Sequence, residues 1–96
     1  MMLPSEFLAT RNLCKGHYYE KDGQIDHEHE HADACCVEGA AIATIPDPFK
    51  RSKFMCELDS VLADPQVFAS RWNDRPETTK EMALAVLRET EKRLGL

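Results

Sequence analysis

The densest chemistry in the chain is the string HEHEH at residues 27–31, with the adjacent pair Cys35 and Cys36 shortly after it. In an extended segment His27, His29 and His31 point to one side and Glu28 and Glu30 to the other. Three imidazoles on one face form a ligand set for zinc or nickel. In a helix His27 and His31 share a face one turn apart. The string then reads H-E-x-x-H, with Glu28 where a zinc hydrolase carries its base. A string built only of His and Glu meets that pattern almost trivially, and Asp33, Cys35 and Cys36 lack the spacing of a downstream third ligand. The competing reading is a polar loop and first helical turn, in which Glu28, Glu30 and Asp33 favour the positive end of a helix dipole. That reading leads, and metal binding at His27, His29 and His31 is its rival.

A thiol nucleophile needs a lowered pKa and a neighbouring base. Cys14 precedes His17 by three residues, Cys35 and Cys36 follow His31 at helical spacings, and Asp74 is available to orient a histidine. Cysteine packed as a small hydrophobe is the simpler assignment, because free cysteine is among the most buried residue types. Trp72, Asn73 and Asp74 form the other singular stretch. The one tryptophan is expected to anchor the core. Asn73 and Asp74 are suited to cap the turn into the last helix through side-chain bonds to backbone N–H groups. The chain carries no glycine-rich phosphate loop and no serine-hydrolase elbow.

The elements that must position these residues are mostly helical. A first helix, capped by Ser5 after Pro4, carries Leu3, Phe7, Leu8 and Cys14 and is expected to end near Asn12 or Cys14. Gly16 is a natural stop. Asp22-Gly23 is a strong turn signal between Tyr18-Tyr19 and Ile25 and predicts a short hairpin. Too short to stand alone, it must lean on helices. A second helix is expected from about Glu30 to Ile45, with Ala32, Cys35, Cys36, Gly39, Ala40 and Ala43 on one small-residue face. Gly39 inside it costs roughly 1 kcal/mol relative to alanine, so another backbone is expected to approach closely there. Pro46 and Pro48 end it.

Asp47-Pro48 starts a third helix burying Phe54, Leu58, Val61 and Leu62, and Asp64-Pro65 starts a short fourth with Val67, Phe68 and Trp72. Thr78 with Glu81 fits a capping box for the last helix. Its apolar face is Ala83, Val86, Leu87 and Leu94, with Glu81, Arg88, Glu89, Glu91 and Lys92 mostly away from it, and Gly95 is its C-terminal cap.

A chain of 96 residues is read as a single domain, residues 1–96. It is 43% hydrophobic and 30% charged, in the range of soluble globular proteins. No stretch approaches the ~20 apolar residues of a membrane span, and MMLPSEFLAT lacks the basic start and apolar run of a signal peptide. Four cysteines without such a signal point to a reducing, cytoplasmic compartment. The net charge of −5 opposes non-specific nucleic-acid binding. The short basic patch FKRSK, Phe49 to Lys53, reads as a solvated helix face.

Four motifs recur in order: LCKG (13–16), KDGQ (21–24), CVEGA (36–40) and WNDRP (72–76). In this the chain resembles a family of small proteins of unknown function from actinobacteria and their phages, over about residues 5–94. The resemblance implies no activity. It implies that the stretch before C-x-x-G-A varies, so that HEHEH is a local departure, and that Cys36, Gly39, Ala40, Trp72, Asn73 and Asp74 form a binding or packing constellation, with Trp72 received by the small-residue helix.

The expected architecture is therefore a mostly α protein, a compact bundle of about four helices with one short β-hairpin. The expected function is non-enzymatic: a cytoplasmic, phage- or prophage-encoded protein that binds a host macromolecule, with a protein partner, no nucleic acid, no membrane and no cofactor. A homodimer would extend so small a core. The rival is a metal-binding protein or zinc-dependent hydrolase with His27, His29 and His31 as ligands to zinc or nickel and Glu28 as base.

Overall fold

The computed structural model describes residues 2–63 and 67–96. Among them lie five helices and four short strands: α1 (Pro4–Ala9), β1 (Asn12–Leu13), β2 (Tyr19–Lys21), β3 (Gln24–Asp26), β4 (Ala34–Cys35), α2 (Val37–Thr44), α3 (Pro48–Leu62), α4 (Ala69–Asn73) and α5 (Lys80–Arg93). The architecture is mostly helical with a small mixed sheet, so the expected hairpin is half of a larger element. No helix among the described residues is long and apolar enough to cross a membrane.

The hairpin forms where the turn chemistry requires it. Asp22 and Gly23 both take positive φ, 52° and 78°, as a two-residue turn matched to strand twist demands. β2 pairs with β3 in register Tyr19 to Asp26. On its other edge β2 pairs antiparallel with β4, and β4 pairs parallel with β1, giving the order β1-β4-β2-β3.

These pairings overturn two helix boundaries. α1 stops at Ala9, and Asn12–Leu13 is a strand edge. α2 begins at Val37, not near Glu30. Ala34 and Cys35 have side chains small enough for either fate. The backbone of β1 and β2 on both sides gives their N–H and C=O groups ladder partners, and that decides for a strand. Cys36 is the N-cap, its sulfur accepting from the Gly39 N–H at 3.2 Å.

Two caps also differ from expectation. The Leu3 N–H donates to Glu6 Oε1 at 2.7 Å, and Ser5 is inside α1, buried. The α5 N-cap is Thr79, accepting from Met82 N–H at 3.2 Å, whereas the Thr78 hydroxyl is buried and donates to the Trp72 carbonyl at 2.6 Å. Asp64 and Pro65 lie outside the described residues. The N-cap of α4 is Phe68, and the first N–H of that helix, Ala69, donates to Asp59 Oδ1 at 2.8 Å. Asp47 caps α3 as expected, accepting from Phe49 and Lys50 N–H groups.

The core joins Phe7 and Leu8 of α1, Tyr19, Cys35, Val37, Ala40 and Ala41 of the sheet and α2, Phe54 and Leu58 of α3, Trp72 of α4, and Ala83 and Leu87 of α5. α1 packs on α2 and α5, α3 on α5, and α2 on both α3 and α4. Glu91, expected on the solvent face of α5, is only 4% exposed. Its carboxylate accepts from the Ser5 N–H at 2.8 Å and the Ser5 hydroxyl at 2.6 Å. Ser5 near the start of α1 has an N–H with no intrahelical acceptor, so the acid is drawn inward to meet it.

Candidate functional site

The sequence motifs meet at one place, where the end of β1, the start of β2, the first turn of α2 and the end of α4 come together. Asn73, fully buried, is the centre of this junction. Its Oδ1 accepts from the Val37 N–H at 3.0 Å, one of the orphan donors at the start of α2. Its Nδ2 donates to the Cys14 carbonyl at 2.9 Å. One amide therefore holds three elements, and its donor and acceptor are both used. Asp74 Oδ1 accepts from the Gly16 N–H at 2.8 Å and from Asn73 Nδ2 at 3.2 Å. Lys15 Nζ donates to the carbonyls of Arg75 and Thr78, tying the same loop to the corner from its other side.

Gly39 is in contact with backbone, and the partner is the Tyr18 peptide just before β2. A Cβ built there would lie 2.5 Å from the Tyr18 carbonyl oxygen and 3.1 Å from Tyr19 Cε1. The Tyr19 hydroxyl donates to the Gly39 carbonyl at 2.8 Å, and the Cys36 N–H donates to the Tyr18 carbonyl at 3.0 Å. Ala40 is fully buried beneath, and Trp72, 9% exposed, belongs to the same apolar cluster. Gly39→Ala is expected to destabilise the fold. Overpacking against backbone costs about 1–3 kcal/mol, against a helix-propensity gain of at most ~1 kcal/mol. The melting temperature should fall by roughly 4–8 °C per net kcal/mol. A variant as stable as the native chain would show that the Tyr18 peptide gives way freely.

The junction borders a cleft of about 380 Å³. Gly16, His17 and Tyr18 form one wall, Cys36 and Glu38 a second, Ser70 and Asp74 a third. A second hollow, of about 360 Å³, is built from different elements: Met2, Leu3 and Pro4, the α2–α3 connection at Ile45 and Pro46, Phe54, and Leu94 and Leu96 after α5. Its rim carries Lys50 and Lys53.

The three histidines of HEHEH do not assemble. Residues 27–33 run through bends and a turn, with the Ala32 N–H bonded to the His29 carbonyl at 3.3 Å, so neither the strand alternation nor the one-turn helical spacing exists. His27 and His31 are exposed. The His29 ring lies 6.2 Å from Phe7 and 5.9 Å from Tyr19, centroid to centroid. The fourth histidine does gather donors. Among the described residues one set has its ligand atoms within 4.8 Å of one another, and it is Cys14, His17 and Glu20. His17 Nε2 sits 2.5 Å from Glu20 Oε2. Cys14 and His17 stood out in the sequence as a nucleophile and base pair; Glu20 did not. The three-residue spacing C-x-x-H-x-x-E was the available signal, and it needed the chain reversal at Gly16, φ +82°, to become a cluster.

As a nucleophile Cys14 is poorly placed. Burial pushes its thiol up to about 12, with Cys36 and Glu20 adding to the rise. Cys35 is also raised to about 12, by burial and then Cys36. Burial raises Cys36 as well, opposed by hydrogen bonds from the Gly39 and Glu38 backbone. Rapid alkylation of the native protein is expected at one thiol, the exposed Cys56, with Cys14, Cys35 and Cys36 reacting on unfolding. These shifts also make stability fall in alkali. An unfolded thiol ionises near 9.0 and the buried Cys14 and Cys35 near 12, so between those values the folded chain holds more protons than the unfolded one. Stabilisation is full below 9.0 and is lost as pH rises through that window. Thermal melts on either side of pH 9.0 measure it, and a flat profile would contradict the burial.

No curated protein and no solved structure matches the chain. A family model does, over residues 5–93, and its description is a family of unknown function, DUF6197.

Proposed function

Since the chain belongs to DUF6197, a family of unknown function, we propose a reading taken from its surface: it is a non-enzymatic binding protein whose partner is another protein. The supporting observation is the apolar hollow between α1, α3 and the end of α5. Met2 and Leu96 at its edges are 53% and 56% exposed, and its walls are Leu3, Pro4, Ile45, Phe54 and Leu94. Exposed apolar surface of this kind, rimmed by polar residues, marks interaction sites. The rim contributes a second property. In a chain of net charge −5, Lys50 and Lys53 make this edge locally basic. Asp47 beside them has its Oδ1 taken up by two backbone N–H groups. The occupant that fits is an amphipathic segment of a partner, apolar on one face and acidic on its flank.

The motif residues support the same division of labour. Asn73, Asp74, Cys36 and Gly39 spend their polar groups and their lack of bulk on holding α2, α4 and the hairpin together. The recognition surface is then elsewhere. The phage setting implied by the motif resemblance makes an intracellular host protein the partner.

The test is a charge reversal that leaves the core untouched. The native chain and a Lys50→Glu/Lys53→Glu variant, both untagged and immobilised, are compared for retained host proteins, and the retained candidate is purified and titrated against each. Binding weakened by at least about tenfold in the variant is expected. Equal affinity of the two forms would remove the hollow as the interface. Light scattering of the free chain checks the other occupant, a second copy.

A further inference from the structure

The geometry points to a zinc site at Cys14, His17 and Glu20, separate from the HEHEH string and from the apolar hollow. Three chemically different donors that zinc accepts, a thiolate sulfur, an imidazole nitrogen and a carboxylate oxygen, lie within 4.8 Å of one another. Tetrahedral zinc with bonds of about 2.0–2.3 Å places its donors roughly 3.3–3.8 Å apart. The observed cluster is close to that size. Binding would exchange the contacts of the Cys14 thiol with the His17 and Tyr18 carbonyls, at 3.4 and 3.7 Å, and the 2.5 Å contact between His17 and Glu20 for bonds to the ion.

The backbone under each donor is already held. The Cys14 N–H donates to the Cys35 carbonyl at 3.0 Å and its carbonyl accepts from Asn73. Gly16, between Cys14 and His17, is bonded to Asp74. Glu20 is the middle residue of β2, paired with Ile25 on one side and Ala34 on the other. Ligands fixed in this way lose little freedom on binding. The thiol is buried at the inner end, while the His17 and Glu20 side chains are 23% and 28% exposed, so the ion has an entry path from solvent. His17 also lines the adjoining cleft, and a water from solvent would complete the four-coordinate set.

Zn²⁺ bonds to Cys14 Sγ as the thiol proton passes to solvent. A ring nitrogen of neutral His17 and an ionised oxygen of Glu20 supply the other two protein bonds. The mixed sulfur, nitrogen and oxygen set suits zinc over magnesium or calcium, which take oxygen donors.

The test uses the full chain without a histidine tag, stripped with a chelator and titrated with Co²⁺ and then Zn²⁺. One Co²⁺ per chain is expected, with a near-ultraviolet thiolate-to-cobalt absorption that one equivalent of Zn²⁺ abolishes. Cys14→Ser should lack that band. Glu20→Gln, at a partly exposed position that leaves the core intact, should keep the band and bind at least about tenfold more weakly. A His27→Ala/His29→Ala/His31→Ala variant should behave as the native chain. Circular dichroism reports whether Cys14→Ser folds, and if it does not, Glu20→Gln decides. The site is refuted by a native protein without the thiolate band, by unchanged affinity in Glu20→Gln, or by loss of the band in the triple histidine variant.

Discussion

Asn73→Ala should destabilise the chain by about 2–6 kcal/mol, because it leaves two buried backbone groups unpartnered. Asn73 is fully buried, and its amide joins the Val37 N–H to the Cys14 carbonyl. Truncation removes both bonds at once, together with the bond from Nδ2 to Asp74 Oδ1. Each abandoned group then bears a desolvation cost of about 1–3 kcal/mol. Domains of this size are stable by only about 5–15 kcal/mol, so the loss is a large share of the total. Asn73→Asp is not a rescue. It restores an acceptor for Val37 but turns a second oxygen towards the Cys14 carbonyl, where a donor is needed. Urea titration followed by circular dichroism measures both variants. A loss below about 1 kcal/mol for Asn73→Ala would mean that water enters and takes over the two bonds. The same variant should loosen the backbone under Cys14 and with it the proposed zinc site.

Glu91→Ala should cost at least about 3 kcal/mol. Its carboxylate accepts both from the Ser5 N–H and from the Ser5 hydroxyl, and hydrogen bonds to a charged group are worth about 1.5–3 kcal/mol each. The pair pins the first turn of α1 to α5, a contact between residues 86 apart in sequence. Ser5→Ala keeps the N–H bond and loses only the hydroxyl bond, so it should cost about half as much. Combining the two changes should then cost clearly less than their sum, since both remove the same hydroxyl bond. Hydrogen exchange locates the effect: α1 amides should lose protection in Glu91→Ala while those of α3 keep theirs. Uniform loss across the chain would contradict a local latch.

The difference between what was legible and what was hidden follows individual residues. Asp22-Gly23 announces its hairpin because both positions need positive φ, and few other residue pairs accept that. Asp47-Pro48 announces α3 because the carboxylate and the missing proline N–H answer needs of the first helical turn alone. Ala34-Cys35 announces nothing. It is small, apolar and compatible with a helix, and it becomes a strand because β1 and β2 lie on either side of it. Glu91 reads as a surface acid by its helical phase, yet is 4% exposed because Ser5 supplies two donors. The HEHEH string is conspicuous by composition yet runs through bends and a turn, while Glu20 in β2 joins Cys14 and His17.

From its residues alone, then, this chain determined its mostly helical character, its one tight turn, the start of α3 and the amphipathic last helix. Each of these depends on energies acting within a few neighbouring residues, through φ preferences, caps and periodicity. The mixed sheet, the start of α2, the inward Glu91, the three-way grip of Asn73 and the Cys14–His17–Glu20 cluster were decided by the tertiary structure. Most of these rest on partners far away in sequence, up to 86 residues for Ser5 and Glu91. The cluster, though local in sequence, needed the loop at Gly16 to be held by Asp74 from 58 residues away. A buried polar group takes whichever partner the packed chain brings to it, and no local pattern carries that information.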